Sequence, residues 1–163
     1  MNAGVFDVND EMFMRHALEL ARQAGAQGEV PIGAVVVIRG EVRGEGVNRP
    51  VNSADPTAHA EIVALRMAAE REHNYRLPRS TLFVTLEPCI MCAGALVAAR
   101  VERLVFGARD LRFGGVRSKF RLADSELLNH SVYVEEGLLA PDAANLLSEF
   151  FRSRRTQSDG GES

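Results

Sequence analysis

The stretch Thr81–Ala108, TLFVTLEPCIMCAGALVAARVERLVFGA, decides the fold. Thr81 to Leu86 is strand-like, Cys89 to Arg100 is a short helix apolar nearly all round, and Arg103 to Ala108 is strand-like again. Strand, helix and strand in this order make a β-α-β unit, in which two parallel strands are expected. The helix offers more apolar faces than one sheet can cover, which predicts a homodimer.

Upstream, Val30 to Ile38 reads as a buried strand and Arg39-Gly40-Glu41 as a tight turn into a second strand, Val42 to Val47. Asn48-Arg49-Pro50 ends that hairpin. Before it, Phe13, Ala17, Leu20 and Ala24 recur at helical spacing behind a cap at Asn9 or Asp10, until Gly25 and Gly28 stop the helix. After the hairpin, a polar loop through Asp55-Pro56-Thr57 leads into a helix that begins close to His59 and carries Ile62, Ala64, Leu65 and Met67, with Asp55 or Thr57 available near its start.

Downstream of Ala108 comes a glycine-containing basic loop, Arg109 to Arg121, then a last strand, Ser131 to Glu135, and a final helix opened by Pro141 and running to about Arg155. Leu146, Leu147 and Phe150 share one face of that helix, which expects at least one of Phe150 and Phe151 in the core. Thr156 to Ser163 reads as a disordered tail. The expectation is a single α/β domain over residues 1–155, with three layers, α-β-α, around a mixed sheet of about five strands.

With 163 residues, 46% hydrophobic and 25% charged, the chain fits one ordinary globular domain and excludes collagen-like, disordered and disulfide-scaffold classes. No apolar run approaches the roughly 18 residues needed to span a bilayer, so no membrane partner is expected. Met1 to Asp10 carries Asp7 and Asp10 and no apolar signal core, which makes the cytoplasm the expected location. The net charge of −3 argues against holding nucleic acid by bulk electrostatics, yet Arg109, Arg112, Arg117, Lys119 and Arg121 cluster, as do Arg152, Arg154 and Arg155.

Two short motifs carry chemistry, His59-Ala60-Glu61 and Pro88-Cys89-Ile90-Met91-Cys92, each expected at a helix start. Cysteines three apart in a first helical turn share a face, where the helix N-terminus favours the thiolates that bind zinc. One imidazole and two thiolates are three protein ligands, whereas a structural zinc site normally has four, so a position is left for water. Glu61, two residues after His59, stands beside such a metal without ligating it and suits a proton shuttle. Taken alone, Cys-x-x-Cys also fits a redox pair or part of a structural zinc site, and Glu61 also fits a carboxylate favoured at a helix N-terminus.

His-x-Glu followed by Pro-Cys-x-x-Cys resembles the signature of the zinc-dependent cytidine and purine deaminases. Within them the chain is most similar to the bacterial tRNA-specific adenosine deaminases. The likeness lies in Glu29–Val35, Asn48–Pro50, Asp55–Glu61, Val84–Ala95, Val105–Asp110 and Phe150–Arg155, and runs from about Glu11 to Arg155. It implies a cytidine deaminase-like fold and a homodimer binding one Zn2+ per subunit through His59, Cys89 and Cys92. It implies hydrolytic conversion of adenosine to inosine at the wobble position of a tRNA anticodon, expected in an arginine tRNA, with Glu61 as general acid/base. By the same likeness Asn48 touches the flipped purine and Asp110 lies near the RNA backbone; read alone, Asn48 fits a turn residue, and Asp110 a turn acid or a partner of Arg109. The chain departs from the family at Leu111-Arg112-Phe113-Gly114-Gly115, where a Lys-Thr-Gly-Ala type of segment is usual, and this bears on substrate range.

Two other functions share parts of this pattern. A free-base guanine or cytosine deaminase keeps the chemistry and changes the substrate. A zinc-stabilised RNA-binding subunit needs the three ligands but has no use for Glu61.

Overall fold

A computed structural model describes residues 6–159. The sheet has five strands, β1 (Gly33–Ile38), β2 (Glu41–Val47), β3 (Ser80–Leu86), β4 (Arg103–Ala108) and β5 (Tyr133–Glu136), in the spatial order β2-β1-β3-β4-β5. β1 is antiparallel to both β2 and β3, while β3, β4 and β5 run parallel. The mixed sheet and the parallel pair expected from Thr81–Ala108 are both present.

Helices cover both faces. Every residue of β1 is buried, as a strand with two covered faces requires. Ala34, Val36, Leu82, Val84, Leu104 and Phe106 pack with residues of α3 (Ala60–Glu72) and α4 (Ile90–Ala98). Val35, Val37, Phe83 and Val105 face the opposite side, against Met14, Ala17 and Leu20 of α1 (Val8–Ala26). The last helix, α5 (Ala140–Asp159), joins that second layer through Ala143 and Leu146. The architecture is therefore three-layered, α-β-α.

Several boundaries differ from the sequence expectation. The cap of α1 is Asp7, not Asn9 or Asp10: the Asp10 backbone N–H donates to Asp7 Oδ1 at 2.8 Å, and the Asp7 N–H returns a bond to Asp10 Oδ2 at 3.1 Å. The Asp55–Thr57 segment caps itself, Asp55 Oδ1 accepting from Thr57 N–H and hydroxyl, and the N-cap position of α3 falls to His59. A short helix absent from the sequence reading, α2 (Pro50–Ser53), follows Asn48-Arg49. Its Val51 and Asn52 N–H groups donate to the buried carboxylate of Glu29 at 3.2 and 2.9 Å.

α5 runs through Asp159, past the expected tail start at Thr156. The hydroxyls of Thr156 and Ser158 donate back to carbonyls of the preceding turn, at Ser153 and Arg155. The rest of the tail, residues 160–163, and Met1–Val5 lie outside the described residues. Phe150 is half-buried and Phe151 exposed, so neither is a full core residue. No helix among the described residues is long and apolar enough to cross a membrane.

Candidate metal centre and active site

Two helix starts meet at one end of the sheet. His59 is the N-cap of α3 and Cys89 the N-cap of α4, both with extended backbone and neither spending its side chain on the cap. Cys92 stands one turn further into α4 and is fully buried. α3 approaches this closely because β2 presents glycine to it: a Cβ on Gly46 would lie 1.9 Å from the Ala60 carbonyl oxygen. The first turn of α3, and with it His59 and Glu61, is thus set by backbone against backbone.

His59 Nδ1 lies 3.5 Å from Cys89 Sγ and 3.6 Å from Cys92 Sγ, and the three ligand atoms fall within 4.8 Å of one another. A tetrahedral ion with bonds of about 2.3 Å to sulfur and about 2.0 Å to nitrogen separates nitrogen from sulfur by about 3.5 Å and the two sulfurs by about 3.8 Å. The spacing therefore fits one zinc ion. Hydrogen bonding from Cys92, then from His59, draws the Cys89 thiol down to about 4, against the effect of burial. The same bond to Cys89, together with burial, pushes the Cys92 thiol up, and the bond to Cys89 raises His59. Three groups compete for protons, a competition that a divalent cation ends by taking two thiolates and a neutral imidazole.

Glu61 is buried, and burial pushes its carboxyl well above the ordinary range although the charge of His59 opposes this. Its Oε1 is enclosed without a hydrogen-bond partner among the described residues. An unsatisfied buried carboxylate oxygen is costly, and at a ligand cluster it marks a place for a water or a substrate atom. His16, His73 and His130 do not join the cluster: His16 pairs with Glu45, His130 bonds the Val101 carbonyl, and His73 ends α3.

Asn48 is buried at the end of β2, and its Nδ2 donates to the Val30 carbonyl at 3.3 Å, which orients the amide. Asp110 makes a turn: its Oδ1 accepts from the Arg112 and Phe113 N–H groups, each at 3.1 Å. Arg109 pairs with Glu136 instead. A residue that sequence reading passed over is Glu87, buried two positions before Cys89, whose carboxylate accepts from the backbone of Asp110, Val116, Arg117 and Ser118. Burial opposes its ionisation, but the Ser118 hydroxyl and these N–H groups outweigh burial and hold it below the usual carboxylate range. Its sequence signal is its place between Leu86 and Pro88, inside the Val84–Ala95 stretch that carries the family likeness.

The fold and the ligand set define a class, and the chain belongs to it: residues 7–108 match the cytidine and deoxycytidylate deaminase zinc-binding region. More narrowly, the tRNA-specific adenosine deaminase of Haemophilus influenzae is 51% identical over 149 residues, covering 91% of this chain and 86% of the relative. A structure solved in a study of A-to-I editing by tRNA:A34 deaminases at the wobble position has a TM-score of 0.81 and 46% identity, covering 83% of this chain and 99% of that chain. The guanine deaminase of Nitrosomonas europaea has a TM-score of 0.76 and 32% identity, covering 86% of this chain and 83% of that chain.

Proposed function

We propose that this chain is a tRNA adenosine deaminase that converts adenosine to inosine at the wobble position of an anticodon, with an arginine tRNA as substrate. The observation that carries the chemistry is the buried, unpartnered Oε1 of Glu61 beside the His59, Cys89 and Cys92 ligand atoms. The substrate follows from the similarity to tRNA-specific adenosine deaminases over most of both chains. Residues 1–155 are taken as one deaminase domain, working in the cytoplasm.

His59, Cys89 and Cys92 hold the zinc ion. The chemistry that zinc supplies is Lewis acidity, which brings the pKa of water toward neutrality. Glu61 accepts a proton from the attacking water and gives a proton to the adenine ring nitrogen next to the reacting carbon. It then moves a proton to the departing amino group, so that water adds, ammonia leaves and inosine remains. Burial pushes the Glu61 carboxyl up, which makes its carboxylate a stronger base toward the attacking water. Asn48, fixed by Val30, holds an edge of the flipped purine, and Asp110 lies along the RNA backbone beside it. An anticodon loop base is already unpaired, so extracting it costs less than flipping one from a duplex.

The working unit is a homodimer. Ile90, Gly94 and Ala98 leave one side of α4 exposed, and Leu111, Phe113 and Phe120 add exposed apolar surface on the basic loop. Sedimentation at micromolar concentration is expected to give twice the chain mass, and a monomer removes this part of the proposal.

The deciding experiment incubates zinc-loaded protein with an arginine-tRNA anticodon stem-loop carrying wobble adenosine, beside free adenosine, guanine and cytosine. Inosine at the wobble position alone is the expected result. Ammonia from free guanine or cytosine with the stem-loop untouched replaces the substrate and keeps the mechanism.

A further inference from the structure

We infer that Glu87 is a positioning residue, whose buried carboxylate fixes the basic loop over residues 110–118 against the Cys89 ligand and thereby sets how the nucleic-acid substrate is received. Only the identity of that substrate rests on the proposal above.

The anchoring is dense. Glu87 Oε1 accepts from the Asp110 N–H at 3.1 Å and from the Ser118 hydroxyl, while Oε2 accepts from the N–H groups of Val116, Arg117 and Ser118 at 3.1, 2.7 and 2.9 Å. Three successive backbone N–H groups around one oxygen form an anion-holding concavity, here filled by the protein's own carboxylate. On its other side the loop is stitched to the ligand segment: the Gly115 N–H donates to the Pro88 carbonyl at 2.8 Å, and Gly114 bridges Cys89. A Cβ on Gly114 would fall 2.3 Å from Glu87 Oε2 and 2.6 Å from the Asp110 carbonyl oxygen, so the loop lies directly on the carboxylate.

The division of the loop gives the anchor its purpose. Gly114, Gly115 and Val116 are buried, whereas Leu111, Arg112, Phe113, Lys119 and Phe120 are exposed. Among the described residues Glu87 forms no ion pair with an arginine or lysine, and Arg112 and Lys119 form none with any acid. The loop is thus held from beneath by neutral dipoles; Arg109 pairs with Glu136, and Arg117 and Arg121 with Asp124, which leaves the exposed Arg112, Lys119, Phe113 and Phe120 available to phosphates and bases. A carboxylate is required because both oxygens must accept; a glutamine in its place offers one acceptor and turns its amino group toward N–H donors.

Three variants test this. In Glu87→Gln the expected result is one bound zinc per chain, kcat within about threefold of wild type and a KM for the anticodon stem-loop raised roughly tenfold or more. Amide exchange at residues 116–118, followed by NMR, should accelerate in the same protein. Gly114→Ala pushes the loop off an intact carboxylate and should raise KM in the same way, and Ser118→Ala, which removes one donor, should raise it less. A merely structural role lowers the melting temperature and the active fraction but leaves KM alone, so an unchanged KM in Glu87→Gln and Gly114→Ala overturns the inference. So does loss of zinc in step with kcat. Should wild-type protein leave the stem-loop untouched, the substrate proposal falls, while amide exchange that is slow in wild type and unaltered in Glu87→Gln would separately refute the anchor.

Discussion

Glu61 shows how a residue can be badly placed for stability and well placed for chemistry. Its carboxyl is buried and one oxygen has no partner among the described residues, an arrangement that folding alone would not favour. Replacing it with glutamine keeps the shape and removes the titrating proton. Glu61→Gln should therefore lower kcat by about 10²–10⁴, the usual contribution of a general acid/base, with zinc content unchanged by elemental analysis. Its melting temperature should equal or exceed that of wild type. Retained deamination would return Glu61 to the role of a charge at a helix N-terminus and assign the proton transfers to another group. Asp110 is the opposite case: its Oδ1 is spent on the Arg112 and Phe113 N–H groups, so a turn role is visible while contact with RNA waits on the substrate.

Helix α3 brings His59 and Glu61 into place through a contact without side chains. Because Gly46 faces the Ala60 carbonyl and the Ala64 N–H, at 1.9 and 2.8 Å from an added Cβ, Gly46→Ala must push the first turn of α3 outward. The expected loss is about 1–3 kcal/mol, as for other overpacked sites, together with reduced zinc retention during dialysis against chelator. Denaturant unfolding and metal analysis check both, and unchanged values for the two would mean that α3 is positioned from elsewhere. Contacts of this kind divide what was legible in the sequence from what was not. The strands, the β-α-β unit and the cluster of His59, Cys89 and Cys92 were legible because they are written in local periodicity or short spacing, as in His59-x-Glu61 and Cys89-x-x-Cys92. α2 and the loop anchor were not, because Glu29 receives N–H groups 22 and 23 residues away and Glu87 reaches donors 23 to 31 residues away. The α1 cap was misplaced because Asp7, Asn9 and Asp10 are all good capping residues, and the structure pairs Asp7 with Asp10 in a reciprocal box while Arg103 engages Asp10 from β4.

That same arginine joins the layers of the molecule. Arg103 donates to both oxygens of Asp10 on α1, at 2.8 and 3.0 Å, and through Nε to Glu135 on β5 at 2.6 Å, with its guanidinium 5.9 Å from the centre of the Phe83 ring. Helix, sheet and edge strand thus share one largely buried cation, and breaking such a group leaves acids without a counter-charge. The hydrogen bonds from Arg103, aided by the Asp7 backbone and opposed by burial, hold the Asp10 carboxyl below its ordinary value. Since the folded value lies below the unfolded value of about 3.9, the unfolded chain binds the proton first as pH falls. The stabilisation is complete above about pH 5 and disappears through the more acid range. Arg103→Met should accordingly cost about 3 kcal/mol near neutrality, because Asp10 and Glu135 then lose their shared counter-charge. Its stability should also fall less steeply between about pH 5 and pH 2, since Asp10 no longer has a depressed value to lose. Urea unfolding at a series of pH values distinguishes the cases: converging curves for wild type and variant in acid identify Arg103 as the electrostatic tie between layers. Parallel curves would assign its contribution to packing against Phe83 instead, because a packing loss carries no protons and is the same at every pH.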